Sequence, residues 1–257
     1  MSFKDHFSTG SSNYAAFRPG YPPTLFEWLA GQCKRHELAW DCATGSGQAA
    51  VGLARHFKHV IATDASAEQI QSAKPQTGVE YRVAAAESSG LDNAGVDLIT
   101  VAQAAHWFDL DRFYAEAKRV LRPQGLIALW GYGRLILPGT LDDPLENFYE
   151  HVIGRYWPPQ RALIDEAYRS LAFPFKEISP PRFSIEVNWN LPRLIAYLST
   201  WSAVKRYVES EGGNPLNGLE AELAGRWCTG MKSPGADRSP ETALRFEWPL
   251  FLRVGRK

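Results

Sequence analysis

Residues 39–66 read AWDCATGSGQAAVGLARHFKHVIATDAS and combine two apolar runs with a turn that contains glycine. The first run, residues 38–40, has the composition of a short buried strand. Gly45 and Gly47 follow it, and residues 51–57 then carry apolar side chains at helical spacing. A second apolar run closes the stretch. The order of these signals predicts a strand, a tight turn, a helix and a second strand.

The turn has the spacing of a nucleotide-binding turn. Residues 45–50 satisfy the pattern Gly-x-Gly-x-x-Gly/Ala, in which bare backbone approaches a ligand at a helix N-terminus. Asp41 ends the first strand, and Asp64 ends the second, 17 residues beyond Gly47, where an acidic side chain hydrogen-bonds ribose hydroxyls. These residues predict a ligand with a free ribose diol. Alternatively, both carboxylates are ordinary polar strand ends, and Asp41 only caps the turn.

The motif and the elements after it resemble the class I S-adenosylmethionine (SAM) dependent methyltransferases. Their first motif usually reads Asp-x-Gly-x-Gly-x-Gly, and residues 41–47 match it with Ala43 in place of the first glycine. We expect the extra methyl to be tolerated while it slightly crowds the cofactor. Residues 96–101 resemble the fourth strand, 113–121 the helix after it, and 126–130 the fifth strand.

The resemblance implies an α/β fold with a doubly wound, mostly parallel, seven-stranded Rossmann-like sheet and a helical cap inserted in the C-terminal half. Alternating strand and helix signals support this up to about residue 132. We expect residues 1–132 to form the SAM-binding core with an N-terminal cover segment. Residues 133–240 would form a mainly helical substrate cap with one core strand near 182–189, and residues 241–257 the final core strand.

The resemblance also implies which residues hold SAM. Arg18 would pair with the methionine carboxylate, Tyr14 would close the site and Asp64 would bind the ribose; a bidentate arginine suits a carboxylate. Arg18 could equally be an exposed arginine on a terminal segment. The expected cofactor-binding set is Tyr14, Arg18, Asp41, Ala43, Gly45, Gly47, Asp64, Ala65, Ala86, Glu87 and Gln103.

Adenine recognition departs from the usual pattern. Many relatives use an Asp after the third strand, and Ala85 stands in its place here. The resemblance therefore assigns the adenine to Ala65, to the backbone near Ala86 or to the side chain of Glu87. Glu87 has a second interpretation as a helix-capping residue in a loop that faces solvent.

Further segments resemble a narrower branch that includes trans-aconitate methyltransferase and related small-molecule enzymes. They are residues 14–22, 103–108, 200–204 and 248–255. The branch implies a small-molecule acceptor without identifying it.

The expected substrate pocket contains His106, Trp107, Trp201 and Tyr207. His106 is the candidate catalytic residue, as a general base toward a hydroxyl or as a group that orients a carboxylate; the alternative is a structural histidine. Trp107 would be a pocket wall whose ring faces the sulfonium. A carboxylate acceptor would need no base but would need a basic partner, and the candidates are Arg134, Arg155, Lys205 and Arg206.

The expected activity is methyl transfer from SAM to a small molecule, with a carboxylate as one candidate acceptor. Two alternatives remain open at this point. An NAD(P)-dependent Rossmann oxidoreductase uses the same glycine pattern. A non-catalytic SAM-binding protein would also explain the departures at Ala43 and Ala85.

The composition of the chain bears on its partners and its cellular location. The 28 basic and 28 acidic residues give no net charge, which argues against a nucleic-acid partner. Cys33, Cys42 and Cys228 lack the spacing of a disulfide framework or a metal site. No run of residues is long and apolar enough to span a membrane. We therefore expect a cytoplasmic monomer or homodimer that binds no metal.

Overall fold

The computed structural model describes residues 20–227 and 239–257. Their centre is an eight-stranded sheet, and the two apolar runs around the glycine turn form its neighbouring parallel strands β1 and β2. The strands are β1 Leu38–Cys42, β2 His59–Asp64, β3 Val79–Val83, β4 Val96–Ala102, β5 Leu121–Tyr132, β6 Lys176–Ile178, β7 Phe183–Trp189 and β8 Leu244–Arg256.

The strand order places the glycine turn where a ligand site is expected. The order is β3-β2-β1-β4-β5-β8-β6, and β7 also pairs with β8. Strands β1 to β5 are parallel, and β8 runs antiparallel to β5. The winding direction reverses between β1 and β4, and open α/β sheets bind ligands at the carboxyl ends of the strands at such a point. The expected doubly wound, mostly parallel sheet is confirmed.

The sixth position of the sheet differs from the expected single strand. Both β6 and β7 pair with β8, with Ile178 opposite Val254 and Phe183 opposite Leu250. The four residues 179–182 therefore lie opposite the three residues 251–253. Pro180 and Pro181 lie in this gap, and proline has no N–H to donate to a ladder. The sheet consequently has eight strands rather than seven.

Helices cover both faces of the sheet. Helix α2 ends at Leu53, earlier than the helical spacing of residues 51–57 predicts, and residues 54–57 continue as hydrogen-bonded turns. The helices are α1 Pro23–Gly31, α2 Gln48–Leu53, α3 Ala67–Ser72, α4 Leu110–Val120, α5 Asp142–Asn147, α6 Arg161–Asp165, α7 Leu191–Leu198, α8 Ser202–Glu211 and α9 Leu216–Trp227.

Two apolar layers sandwich the sheet. Leu29 of α1 and Leu53 of α2 are fully buried in one layer, and Phe113 and Val120 of α4 are fully buried in the other. Burial of such a side chain stabilises the fold by about 1.5–3 kcal/mol. Asp109 begins α4 as its N-cap and accepts a hydrogen bond from the Arg112 amide. These layers hold the central strands rigidly beneath the glycine turn.

Beyond β5 the chain consists mainly of short helical pieces. Besides the helices it contains a π-helical turn at Phe148–Val152 and 3-10 turns at Gly139–Leu141 and Gly154–Tyr156. A further 3-10 turn, Ala105–Trp107, follows β4. This helical material agrees in character with the cap that the sequence predicts, and the division of the chain at residues 132 and 240 stays a prediction.

Candidate functional site

The carboxylate of Asp64 is fixed at the end of β2 by the backbone around it. Its Oδ2 accepts a hydrogen bond from the Gly45 amide at 2.9 Å, and its Oδ1 accepts one from the Ser66 amide at 2.9 Å. Ser66 in turn begins α3 as an N-cap that accepts from Gln69. One carboxylate therefore joins the glycine turn of β1 to the helix after β2. This arrangement orients the side chain that the sequence assigns to a ribose.

Asp41 lies beneath the same turn and is buried. Its Oδ1 accepts from the Thr100 hydroxyl at 2.7 Å, and its Oδ2 accepts from the Thr44 hydroxyl. Burial raises the pKa of the carboxyl to about 6, although hydrogen bonds from the two hydroxyls and from the Ala50 amide oppose the rise. The contact with Thr44 agrees with the turn-capping alternative. A role of Asp41 toward a cofactor stays a prediction.

The backbone of the turn is left-handed at three positions. Ala43 has φ 54°, Gly45 has φ 56° and Gly47 has φ 86°. Such values suit glycine and strain alanine. The cost of the Ala43 substitution is therefore conformational as well as steric. Gly47 has a second constraint, because a Cβ there would lie 2.5 Å from the hydroxyl oxygen of Tyr81.

The predicted adenine residues line the edge beside β3. Ala86 is buried and Ala65 is half-buried. The Glu87 Oε1 accepts from the amide of Asp109 at 3.1 Å, which agrees with the helix-capping interpretation of Glu87. Sequence reasoning missed Val83, which pairs with Asp64 in register and is 57% exposed. An exposed valine next to the carboxylate that is predicted to bind a ribose offers an apolar surface for a flat base.

Gln103 directly follows β4, across the gap from the glycine turn. Its backbone is left-handed, with φ 57°, and its side-chain amide donates to the Tyr132 carbonyl at 2.9 Å. A Cβ on Gly131 would lie 2.8 Å from the Gln103 Oε1, so the missing side chain at Gly131 makes room for this amide. The side chain predicted to bind the cofactor is thus held by β5.

His106 and Trp107 lie in the 3-10 turn that follows Gln103. The rings of His106 and Trp107 are 4.8 Å apart, and the His106 Nδ1 lies 2.8 Å from the hydroxyl oxygen of Tyr168. Burial, together with the nearby charge of Arg161, lowers the pKa of His106 to about 4. His106 is therefore a neutral side chain at physiological pH.

Trp201 belongs to a buried aromatic cluster after β5. Its ring lies 5.5 Å from Trp157, 5.8 Å from Tyr149 and 5.9 Å from Tyr197. The Arg161 guanidinium lies over the rings of Trp157 and Tyr149, at 4.9 and 5.4 Å from the centroids. The positive charge of this guanidinium also contributes to lowering the pKa of His106, which follows β4.

Tyr207 lies elsewhere in the helical region. Its ring packs 5.1 Å from that of Tyr156, whose hydroxyl donates to Glu211. The described residues show no contact that joins Tyr207 to His106 or Trp107. Its place in the substrate pocket stays a prediction.

The arginines that the sequence offered for a carboxylate have other partners. Arg134 makes a bidentate contact with Asp142. Arg155 pairs with Glu211 and is 73% exposed, and Arg206 donates to a backbone carbonyl at 3.3 Å. Sequence reasoning missed Arg161, because nothing in its local sequence marks it. The signal is visible only after α6 packs against the aromatic cluster.

Parts of the predicted site lie outside the described residues, namely Tyr14 and Arg18. Within residues 20–227 and 239–257, no group of three His, Cys, Asp or Glu side chains could hold a metal ion. No helix among these residues combines the length and apolar character needed to cross a membrane.

A surface cleft of about 610 Å³ lies at the opposite edge of the sheet. Residues 34–37, before β1, and 55–58, before β2, line it, so it faces the amino ends of these strands. Cofactors of open α/β sheets bind at the carboxyl ends. We therefore do not assign this cleft to the site.

Comparisons with known proteins agree with this geometry. Residues 40–129 match the family model described as "Methyltransferase domain". A Dictyostelium discoideum protein provisionally named as a methyltransferase is 38% identical over 99% of this chain and 96% of its own length. A Saccharomyces cerevisiae protein provisionally named as an S-adenosylmethionine-dependent methyltransferase is 29% identical over 96% of this chain and 95% of its own.

A solved structure from Anaeromyxobacter dehalogenans, described provisionally as a type II methyltransferase, superposes with a TM-score of 0.86. It is 41% identical and covers 93% of this chain and 98% of its own. The similarity therefore includes the helical region after β5 as well as the glycine turn. With the strand order, the turn and the full-length relatives together, the chain belongs to the class I SAM-dependent methyltransferase family.

Proposed function

We propose that the protein transfers the methyl group of SAM to a small-molecule carboxylate. The observation that carries the cofactor assignment is the Asp64 carboxylate, which is held by the amides of Gly45 and Ser66 at the carboxyl edge of the sheet. A carboxylate at this position suits the two hydroxyls of a ribose, because its oxygens accept hydrogen bonds. The glycine turn beside it presents backbone without side chains. This combination of groups fits an adenosine-containing cofactor.

Residues at or after the ends of β1, β2 and β4 would each contact a different part of the cofactor. Asp64 would hold the ribose, and the turn from Ala43 to Gly47 would lie against the amino-acid part. Bound SAM would supply an electrophilic methyl on its sulfonium. Gln103 and Trp107, from the end of β4, would then border the reacting centre. Positioning of the acceptor and exclusion of water are the main rate-enhancing contributions that such a site offers.

Arg161 supports a carboxylate as the acceptor. Its Nε donates to the Tyr149 hydroxyl at 2.7 Å and approaches Asp165 at 3.2 Å. Within the described part of the chain, nothing hydrogen-bonds its two Nη groups, which can form a bidentate contact with a carboxylate. The indole N–H of Trp157, under the guanidinium, is buried and lacks a hydrogen-bond partner among the same residues. An anionic oxygen acceptor would satisfy both donors.

A carboxylate acceptor also agrees with the state of His106. A carboxylate is already ionised near neutral pH and needs no general base. His106, with a pKa lowered to about 4, is neutral there and has little tendency to take a proton. The site thus offers cationic and neutral donors rather than a strong base.

The test is a screen of small mono-, di- and tricarboxylates with isotopically labelled SAM, followed by Arg161→Gln. Loss of hydrogen bonds to a charged group costs about 1.5–3 kcal/mol, so KM for the active carboxylate should rise at least about tenfold. Arg155→Gln removes an exposed arginine from the same region and serves as the control, with KM near wild type.

Two results would contradict the proposal. The first is turnover of amines or alcohols while every carboxylate stays unmodified. The second is an unchanged KM for the active carboxylate in Arg161→Gln. Binding of SAM without turnover of any acceptor class would favour a non-catalytic SAM-binding protein.

A further inference from the structure

Tyr168 reaches His106 from a strained segment far away in sequence. Ala167 and Tyr168 are consecutive non-glycine residues with φ 54° and 57°, in the left-handed region. Such conformations persist where the surrounding structure enforces them, and they concentrate at functional sites. The Arg253 guanidinium donates to the Tyr168 carbonyl at 3.2 Å, and the Phe251 ring packs edge-on at 5.0 Å. The phenol is therefore held in one place.

The surroundings of the Tyr168 hydroxyl decide whether it donates to or accepts from the Nδ1 of His106. Burial raises the pKa of Tyr168 above its usual range and keeps the phenol protonated. Within the described residues the one hydrogen bond of the phenol oxygen joins it to the Nδ1 of His106 at 2.8 Å. A phenol oxygen has two acceptor sites and one proton. Among the described residues, the phenol proton therefore has one available acceptor, the Nδ1 lone pair of His106.

The opposite arrangement leaves a buried proton without an acceptor. If Nδ1–H donated to Tyr168, the phenol oxygen would be the acceptor of this hydrogen bond. Its own proton would then have no acceptor within the described residues, and an unpaired buried polar group is costly. The Nδ1 lone pair must accept from Tyr168, and the proton of the neutral imidazole must lie on Nε2.

We propose that Tyr168 is a positioning residue that fixes His106 as the tautomer protonated on Nε2, which makes His106 a hydrogen-bond donor to the methyl acceptor and excludes it as a general base. A base needs a free lone pair, and in this tautomer Nδ1 is occupied by the phenol while Nε2 carries a proton. Within the described chain no group hydrogen-bonds Nε2. That nitrogen can therefore donate to an anionic or carbonyl oxygen.

The charge of Arg161 favours the neutral form of His106 that this tautomer requires. Arg161 is the charge that acts on both His106 and Tyr168, and a cation disfavours a second positive charge on the imidazole. Arg161 and the His106 Nε2–H then form two donors of the acceptor site. This role at the acceptor rests on the proposed function, whereas the tautomer does not.

The tautomer is measured by long-range 1H–15N NMR of the protein labelled with 15N-histidine, without cofactor or acceptor, from pH 5.5 to 8. His106→Gln identifies the His106 signals by their loss. The expected spectrum shows a neutral ring protonated on Nε2 over the whole range. Tyr168→Phe should introduce the Nδ1–H tautomer, because the donor to Nδ1 is gone.

Tyr114→Phe is the matched control. The Tyr114 hydroxyl is also buried in this layer, and it has no hydrogen-bond partner among the described residues, so its removal should leave the His106 signals unchanged. A wild-type ring that is mainly protonated on Nδ1, or that gains a proton within the range, would overturn the proposal. Identical spectra of wild type and Tyr168→Phe would remove Tyr168 from it.

Kinetics on an accepted carboxylate test the donor role. Glutamine places its amide nitrogen near the position of Nε2, whereas asparagine reaches only the position of Nδ1. His106→Gln should keep kcat/KM within about threefold of wild type, and His106→Asn and His106→Ala should lose about tenfold, the equivalent of one hydrogen bond. If glutamine is no better than alanine, the donor role is wrong. The NMR result stands even if the proposed reaction fails.

Discussion

Asp41 shows how a single residue sets the electrostatics beneath the glycine turn. Its carboxyl group is buried between β1 and β4, and hydroxyl groups of Thr44 and Thr100 hydrogen-bond its two oxygens. These hydrogen bonds favour the charged form but do not offset burial, which raises the pKa to about 6. The folded state therefore binds the Asp41 proton more tightly than the unfolded chain does.

This pKa predicts an unusual direction of pH dependence for a carboxylate. Because the pKa in the folded state is about 6 rather than 3.8, stability is fully present below pH 4 and is lost as the pH rises through 6. Asp41→Asn mimics the protonated form. The unfolding free energy of wild type minus that of Asp41→Asn should therefore fall by about 2 kcal/mol between pH 4 and 7.

Urea unfolding at a series of pH values measures this difference. Asp92→Asn removes an exposed carboxylate before β4, on the amino-end side, and gives the background effect of losing a negative charge. A difference between wild type and Asp41→Asn that stays constant or grows with pH would show that Asp41 is not desolvated in the folded protein.

At this scale, sequence reasoning succeeded where the signal is local. The position of Asp64 beside the glycine turn was predictable because its spacing from Gly47 follows from one turn, one helix and one strand, and its role toward a ribose stays a prediction. Arg161 and Tyr168 were not predictable, since Tyr168 lies 62 residues from His106. Their proximity depends on how the helical region packs, which short motifs do not encode. Glu87 stayed ambiguous because a carboxylate can serve either a helix N-terminus or a ligand.

Among the elements, the glycine turn depends on its packing against β3. Gly47 precedes α2, and Tyr81 from β3 fills the space in which a side chain of residue 47 would lie. Gly45 has a similar left-handed backbone but an open environment, where a Cβ would meet only the Gln69 side chain at 3.8 Å. A side chain at residue 45 would therefore meet backbone strain alone, whereas one at residue 47 would meet both backbone strain and a steric clash.

Alanine substitutions at these positions should differ in cost. Gly45→Ala should destabilise the protein by about 1–2 kcal/mol through the left-handed backbone alone. Gly47→Ala should cost about 1–3 kcal/mol more, because the methyl overlaps the Tyr81 ring. In a Tyr81→Phe background the additional cost should shrink, since the closest atom is the hydroxyl oxygen. Urea unfolding of wild type, Gly47→Ala, Tyr81→Phe and the double variant forms a double-mutant cycle, and Gly45→Ala is measured in the same way.

Equal costs for Gly45→Ala and Gly47→Ala would contradict this packing. An additional cost that persists unchanged in the Tyr81→Phe background would also contradict it, because Tyr81 would then not be the neighbour that excludes a side chain.

The long strands were predictable, including β7, which corresponds to the strand expected near residues 182–189, and the short strand β6 was not. Alternating residues 243–254 correspond to β8, Leu244–Arg256, and the apolar run 96–101 to β4, Val96–Ala102. Strand β6 has only three residues, too few for a periodic pattern. It is recognised as a strand only through its pairing with β8, which is distant in sequence, and Pro180 and Pro181 separate it from β7.

In the whole molecule, β8 joins the last residues of the chain to the central sheet. It pairs with β5, β6 and β7, so the C-terminal strand closes the sheet that carries the glycine turn. The domain match ends at residue 129, whereas the Dictyostelium discoideum relative aligns over 99% of the chain. The general methyltransferase signal therefore lies before the end of β5, and the features that we propose to select the acceptor, Arg161 and Tyr168, lie after it.

Loss of cofactor affinity in Asp64→Ala is the expected sign that this carboxylate holds the ribose. Two hydrogen bonds to a charged group are worth at least about 1.5 kcal/mol, which corresponds to a loss of tenfold or more. Asp92→Ala removes a carboxylate near the amino end of β4, away from the turn, and should bind like wild type.

Calorimetric titration with S-adenosylhomocysteine, repeated with NAD, tests the central claim most directly. We expect one S-adenosylhomocysteine site in wild type, at least about tenfold weaker binding in Asp64→Ala, and no saturable binding of NAD. Binding of NAD without S-adenosylhomocysteine, or wild-type affinity for S-adenosylhomocysteine in Asp64→Ala, would contradict a SAM site at the glycine turn.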